Sequence, residues 1–271
     1  MYYLGIVGAL SSLGQGVATM LQERYPDCKI VFRVDDRYPK INLLAGEFQT
    51  LEQVISRGIT PTLILDFGLT EGSFERAKFY RAYGIPSIMQ GIFGPEKLSM
   101  VANTRRLSEN TYPPLVLIPD FSVTKLQVMK ALISQAEYFA REVKSIKIDV
   151  LYNTQRYNNF NQWIYWARQI NSVLGEDTEL YRLEGHALNC GYVHYMLMHI
   201  ISMDKNDESI TVQIEGEENP LLFNMEMRHN LLASRINGVA TVLNWYFARH
   251  GKTEGSCANN QVFVDVLSQL I

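Results

Sequence analysis

The chain has 271 residues, 47% hydrophobic and 20% charged, which excludes a disordered, collagenous or disulfide-scaffold protein and allows one large domain or two modest ones. Lys and Arg number 25 against 28 Asp and Glu, a formal charge of -3, so nothing in the charge points to nucleic acid or an anionic membrane as a partner. Cys28, Cys190 and Cys257 lack CxxC or Cys/His ligand spacing, and no leader or spanning run stands out, so the expectation is a cytoplasmic protein with no metal site.

In chain order, Tyr3 to Val7 is a short β-rich run that stops at Gly8, and Gly14 to Arg24 places Val17, Met20 and Leu21 at helical spacing. Lys29 to Val34 reads as a second strand ending at the acidic pair Asp35 and Asp36, and Leu51 to Ser56 as a short helix closed by Gly58. The nearly all-apolar Thr62 to Asp66 suits a parallel strand covered on both faces. Glu71 to Tyr83 follows as a helix, Ser87 to Met89 as a strand, and Leu115 to Ile118 as another strand after a Pro-Pro break. Strand and helix alternating in this way predict a doubly wound parallel sheet.

Beyond Asp120 the pattern changes. Val123 to Val143 reads as a long helix, and Ser145 to Tyr152 as a strand with Ile146, Ile148 and Val150 on one face. Phe160 to Ile170 is aromatic-rich and helical; Val193 to Ile201, Ile210 to Ile214 and Leu221 to Met227 read as strands, Leu231 to Arg249 as a helix, and Gly251 to Asn260 as a loop. Strands in succession predict a mixed α/β domain with an open, largely antiparallel sheet. The expected division is residues 1–120 as the first domain and 121–250 as the second, with 251–271 packing back on the first.

The turn Gly8-Ala9-Leu10-Ser11-Ser12-Leu13-Gly14 joins the first strand to the first helix with small residues. Such a turn lets backbone N–H groups approach a pyrophosphate, and the helix N-terminus adds a favourable partial charge. Ala9 and Ser11 replace glycines of the stricter fingerprint, so an ordinary tight βα turn explains these residues equally well. The end of the second strand tips the balance toward a nucleotide. Asp36 stands about 20 residues on, where a carboxylate can accept from a ribose hydroxyl, and Arg37 could pair with a 2′-phosphate. The five histidines (His186, His194, His199, His229 and His250) show no ligand spacing and read as structural residues, His194 being the mild exception.

Three further segments, DFGLTEG from Asp66, GIFG from Gly91 and PDFSVTK from Pro119, each follow a predicted strand. Together with GALSSLG and Asp36-Arg37, this order resembles the dihydrodipicolinate reductase family of lysine biosynthesis. There the corresponding places hold a GAxGRMG-like turn, an acidic-Arg pair, DF(T/S)xPEG, GTTG and A(N/P)xS(V/I)G. SRINGVATVLNWYF and QVFVDVLSQL resemble the family's last long helix and closing segment. The resemblance implies a Rossmann-type nucleotide-binding domain, a mixed α/β substrate and assembly domain, and NADPH or NADH giving hydride to a cyclic imine or enamine. It also implies a homotetramer or homodimer built through the second-domain sheet. By position, Gly8, Leu13 and Gly14 would line the pyrophosphate, and Asp36 and Arg37 the adenosine ribose. Phe67 and Gly68 would lie along the cofactor, and Gly91, Phe93, Asp120, Phe121 and Ser122 near the nicotinamide.

The departure falls where the family carries E-x-H-H-x-x-K-x-D-x-P-S-G-T-A, its proton-donating histidine, lysine and carboxylate-binding turn. Here the two histidine places hold Tyr152 and Asn153, the lysine place Arg156, and the Ser-Gly-Thr place Asn161-Gln162-Trp163. Activity on the lysine-pathway substrate is therefore not expected. Tyr152 has a phenol that could donate a proton, and Arg156 could hold a carboxylate; core packing accounts better for Phe160 and Trp163. Two classes stay open: a reductase of another C=N or conjugated C=C substrate, and a non-catalytic scaffold that keeps the nucleotide site.

Overall fold

The computed structural model describes residues 1–35, 45–69, 72–104, 113–139, 142–152, 169, 182–184, 195–202, 207–216, 218–250 and 262–271. These form two compact units, Met1–Phe121 with Arg235–Leu270, and Ser122–Ser234 with Ile271.

In the first unit, β1 (Tyr2–Val7), α1 (Ser12–Arg24), β2 (Cys28–Val34), β3 (Glu47–Phe48), α2 (Leu51–Ser56), β4 (Leu63–Asp66), α3 (Ser73–Ala82), β5 (Ser87–Gln90), α4 (Pro95–Ala102) and β6 (Leu115–Ile118) follow one another. The sheet runs β12-β6-β5-β4-β1-β2-β3, where β12 is Val262–Val264, and every ladder in it is parallel. Every residue of β4, β5 and β6 is buried, which accounts for their continuous apolar runs, since a parallel sheet is covered on both faces. Strand order reverses between β1 and β4, so the carboxyl ends of these two strands flank a topological switch point.

The first helix begins two residues earlier than its apolar spacing predicts because Ser11 caps it, its Oγ accepting from Gly14 N at 2.9 Å. Thr50 and Gln53 make a capping box on α2. Between β1 and β6, two elements escape the sequence reading. β3 is only two residues long, and α4 starts at Pro95 with Val101 as its one buried residue.

In the second unit, α5 (Val123–Tyr138) is followed by β7 (Val143–Tyr152), β8 (Arg182–Glu184), β9 (Tyr195–Ser202), β10 (Asp207–Gly216) and β11 (Phe223–Asn230). The helix stops at Tyr138 rather than at the expected Val143, because Val143 already pairs with Gly216 in the sheet. The open sheet runs β11-β10-β7-β9-β8. β10 is antiparallel to both its neighbours, and β7, β9 and β8 are parallel to one another. Ile146, Ile148, Ile210, Val212 and Ile214 are buried, and α5, with Leu126, Met129 and Leu132 inside, packs against β11.

The helix α6 (Leu231–His250) leaves the second unit at Ser234 and belongs to the first from Arg235 onward. Its assignment to the second domain is therefore corrected. Val239, Val242 and Leu243 are buried, Phe247 stacks on Tyr2 with ring centroids 4.3 Å apart, and Asn244 Oδ1 accepts from the Tyr25 hydroxyl at 2.9 Å. A last helix, α7 (Val266–Leu270), follows β12. No helix among the described residues is long and apolar enough to cross a membrane.

Candidate functional site

The turn after β1 is shaped by two glycines. Gly8 has a φ of 71°, and a Cβ there would lie 2.6 Å from the Phe67 carbonyl group, so a side chain would force the β1 and β4 ends apart. A Cβ on Gly14 would overlap the Gly8 carbonyl oxygen, so α1 can start this close to the strand end only with glycine there.

Backbone donors of the turn divide into used and unused ones. Gly8 N and Ala9 N donate to Val34 O at 2.9 and 3.3 Å, and Ser11 N to Gly8 O at 3.0 Å. Leu10 N donates to Asp35 Oδ2 at 2.7 Å. Gly14 N is capped by Ser11, whose hydroxyl also donates to Gly8 O at 2.6 Å. The N–H groups of Ser12 and Leu13 have no acceptor among the described residues. Two adjacent donors without an acceptor among the described residues, at the start of a 13-residue helix, are an arrangement able to accept an anion. Of the acidic pair, Asp35 is buried and locks the turn; Asp36 and Arg37 lie outside the described residues. The sequence names Asp35 in the acidic pair but gives it no role, because its partner, a backbone N–H, leaves no sequence signal.

At the β4 end Asp66 is fully buried and accepts from Arg76 Nε at 2.7 Å, Tyr80 Oη at 2.7 Å and Gly68 N at 2.8 Å. Arg76 also donates to Leu69 O at 2.9 Å, so one carboxylate fixes the backbone of the DFGL segment. Burial pushes the Tyr80 phenol well above its ordinary value, and the Asp66 charge adds to that. Burial opposes the Arg76 charge, but Asp66 outweighs it and the guanidinium is held above its usual range. Phe67 and Phe121 are buried and pack edge to face, with centroids 5.7 Å apart.

At the ends of β5 and β6, Gly91 N donates to Ile118 O at 3.1 Å. A Cβ on Gly91 would make only ordinary contacts with Phe93 and Ser73. Phe93 packs edge to face on Phe74. Arg235, from α6, donates to the Gln90 side chain and has Nε 3.8 Å from the Asp120 carboxylate. Its side chain is 24% exposed while Asp120 is 1% exposed. Arg235 thus joins the carboxyl edge of the sheet, a place the sequence reading did not give it, although it stands in the SRINGVATVLNWYF segment that carried the resemblance.

In the second unit Ser122 caps α5, its Oγ accepting from Lys125 N at 3.3 Å, and it touches Ser234 and His229. Tyr152 is the last residue of β7, paired with Ser202 of β9. Arg156 lies outside the described residues, as do Asn153 and Asn161 to Trp163; of the expected helix Phe160 to Ile170, only Gln169 is described.

No protein-family model and no curated protein matches the chain. Among solved structures, it is similar to a dipicolinate-bound dihydrodipicolinate reductase from Paenisporosarcina sp. TG-14, with a TM-score of 0.63 at 17% identity over 98% of both chains. It is also similar to GenD2 from gentamicin A biosynthesis in complex with NAD, with a TM-score of 0.54 at 10% identity over 99% of this chain and 91% of that one. For an amine dehydrogenase from Mycobacterium smegmatis the TM-score is 0.53 at 11% identity, over 89% of this chain and 92% of that one. At such identities the likeness is one of architecture: the chain has a Rossmann-type, dehydrogenase-like α/β fold with a second mixed α/β unit.

Proposed function

We propose that the protein is an NAD(P)H-dependent reductase of a C=N or conjugated C=C substrate other than the lysine-pathway intermediate. The observation that carries this reading is the pair of N–H groups on Ser12 and Leu13 that have no acceptor among the described residues, set at the switch point of a parallel sheet by glycines that no side chain could replace. The donor set fits a dinucleotide pyrophosphate. Ser12 and Leu13 would hold it, with Asp36 and Arg37 at the adenosine ribose and Gly91, Phe93 and Asp120 toward the nicotinamide. A bound dinucleotide would supply the hydride; the chain positions it and provides a proton. Arg156 is the proposed anion clamp for a substrate carboxylate, and Tyr152 the proposed proton donor.

Titration calorimetry with NADPH and NADH tests the reading. At least one is expected to bind, and Gly14→Ala, which drives a methyl into the Gly8 carbonyl, is expected to abolish binding. A folded parent protein that binds neither at millimolar concentration would instead support the scaffold reading. For the donor, Tyr152→Phe should lower turnover about 10²-fold with nucleotide affinity unchanged, because only the transition state loses an interaction.

A further inference from the structure

The carboxyl ends of β5 and β6 carry a cation, Arg235, that the reading above leaves without a role. Arg235, Gln90 and Asp120 all belong to the first compact unit, the unit that holds the nucleotide turn. A Cβ on Gly238 would overlap the Phe121 carbonyl oxygen, so α6 passes the chain just beyond β6 at a distance that only glycine permits. That approach seats Arg235 at the two strand ends. Its guanidinium donates from Nη2 to Gln90 Oε1. Nε is buried, makes no hydrogen bond among the described residues, and stands 3.8 Å from Asp120 Oδ1, beyond hydrogen-bond reach.

An arginine that served only to tie two strand ends together would grip the carboxylate with two parallel N–H bonds. Arg235 instead bonds a neutral amide and acts on Asp120 through space. Its side chain is 24% exposed and that of Asp120 is 1% exposed, and Gln90 is buried. Of the two charges, only the cation reaches solvent. The pair therefore does not cancel at its open end, because a group on that side stands nearer the guanidinium than the carboxylate, and the nearer charge dominates.

We infer that Arg235 determines which redox form of the nucleotide the site prefers, holding the reduced form more tightly than the oxidised one, with Asp120 as the buried charge that moderates it. The inference rests on the reductase reading, which places the nicotinamide toward Gly91, Phe93 and Asp120. A reduced nicotinamide ring is neutral, whereas an oxidised one carries a positive charge. A cation at the strand ends penalises the second and leaves the first untouched. The site thus takes the reduced nucleotide from a mixture of the two and lets the oxidised one go. Arg235 needs no contact with the substrate for this, and the roles proposed for Tyr152 and Arg156 are unaffected.

Titration calorimetry on the full chain with NADPH and NADP⁺, and with NADH and NAD⁺, tests this without a substrate. The members of each couple differ only at the ring, so the ratio of their dissociation constants, oxidised over reduced, divides out the pyrophosphate, the ribose and any general loosening of the site. The parent ratio should exceed one. Arg235→Gln, which removes the charge, should lower it about tenfold, while Arg235→Lys, which keeps the charge and loses the fork, should stay near the parent. Asp120→Asn, which keeps the shape and removes the opposing charge, should raise it, and decides the matter if Arg235→Gln fails to fold. A ratio unmoved in Arg235→Gln, one that falls as far in Arg235→Lys, or one that drops in Asp120→Asn overturns the inference while the nucleotide reading stands. A folded parent that binds none of the four nucleotides overturns both.

Discussion

Lys125→Met should cost the protein about 3–5 kcal/mol, read as a fall in the urea midpoint with little change in slope. Lys125 and Glu208 are both 0% exposed with Nζ to Oε1 at 3.2 Å, so neither charge has water to fall back on. Removing the ammonium leaves a buried carboxylate that has lost its cation, with His229 Nε2 at 3.2 Å from Oε2. The cost is mostly the desolvation of the orphaned charge, not the loss of attraction. It follows that Lys125→Met with Glu208→Gln should recover at least half of the loss, since the amide is neutral and still reaches His229. A single variant within about 1 kcal/mol of the parent would mean that Glu208 is neutral in the fold or that water enters the cluster.

This cluster also shows what could be read in the sequence and what could not. The apolar runs LILD and LVLI fixed the parallel sheet because a strand buried on both faces has few other compositions. The glycine turn was legible because its conformational demand is local. His229 read as a plain structural histidine, since its partners come from Glu208 on another strand and from Ser122, 107 positions away. Such pairings depend on strand register, which a single sequence leaves open wherever loops of unknown length intervene. Asp35 and Arg235 escaped for the same reason: each acts on a group distant in the chain, Leu10 N in one case and Gln90 and Asp120 in the other. The predicted helix after Ser122 ran past Tyr138 because Val143 and its neighbours fit either period. Tyr152 and Arg156 occupy the places of a motif whose histidine and lysine this chain lacks, so the kinetics of their variants decide their roles.

Arg76→Ala should destabilise the protein by about 3 kcal/mol and should loosen the DFGL segment along with it. Asp66 is 0% exposed and Arg76 20% exposed, with Nε to Oδ2 at 2.7 Å. After the change Asp66 keeps the Tyr80 hydroxyl and Gly68 N, which is why the expected loss sits at the low end for a broken buried pair. The donor to Leu69 O disappears as well, so amide exchange in residues 67–69 should rise more than in β1 or β5. Tyr80→Phe isolates the second partner and carries a pH signature. The Tyr80 phenol ionises near 10 when unfolded and well above that in the fold. Above pH 10 the unfolded chain therefore releases this proton first, and stability that is fully present below pH 10 is lost as pH climbs toward the folded value. The parent should lose stability between pH 10 and 11 faster than Tyr80→Phe does, although the variant starts about 1–3 kcal/mol lower at neutral pH because Asp66 has lost a donor. Parallel stability curves for the two proteins across that interval would show that the phenol does not stay neutral against Asp66, and would remove Tyr80 from the group that holds the DFGL segment.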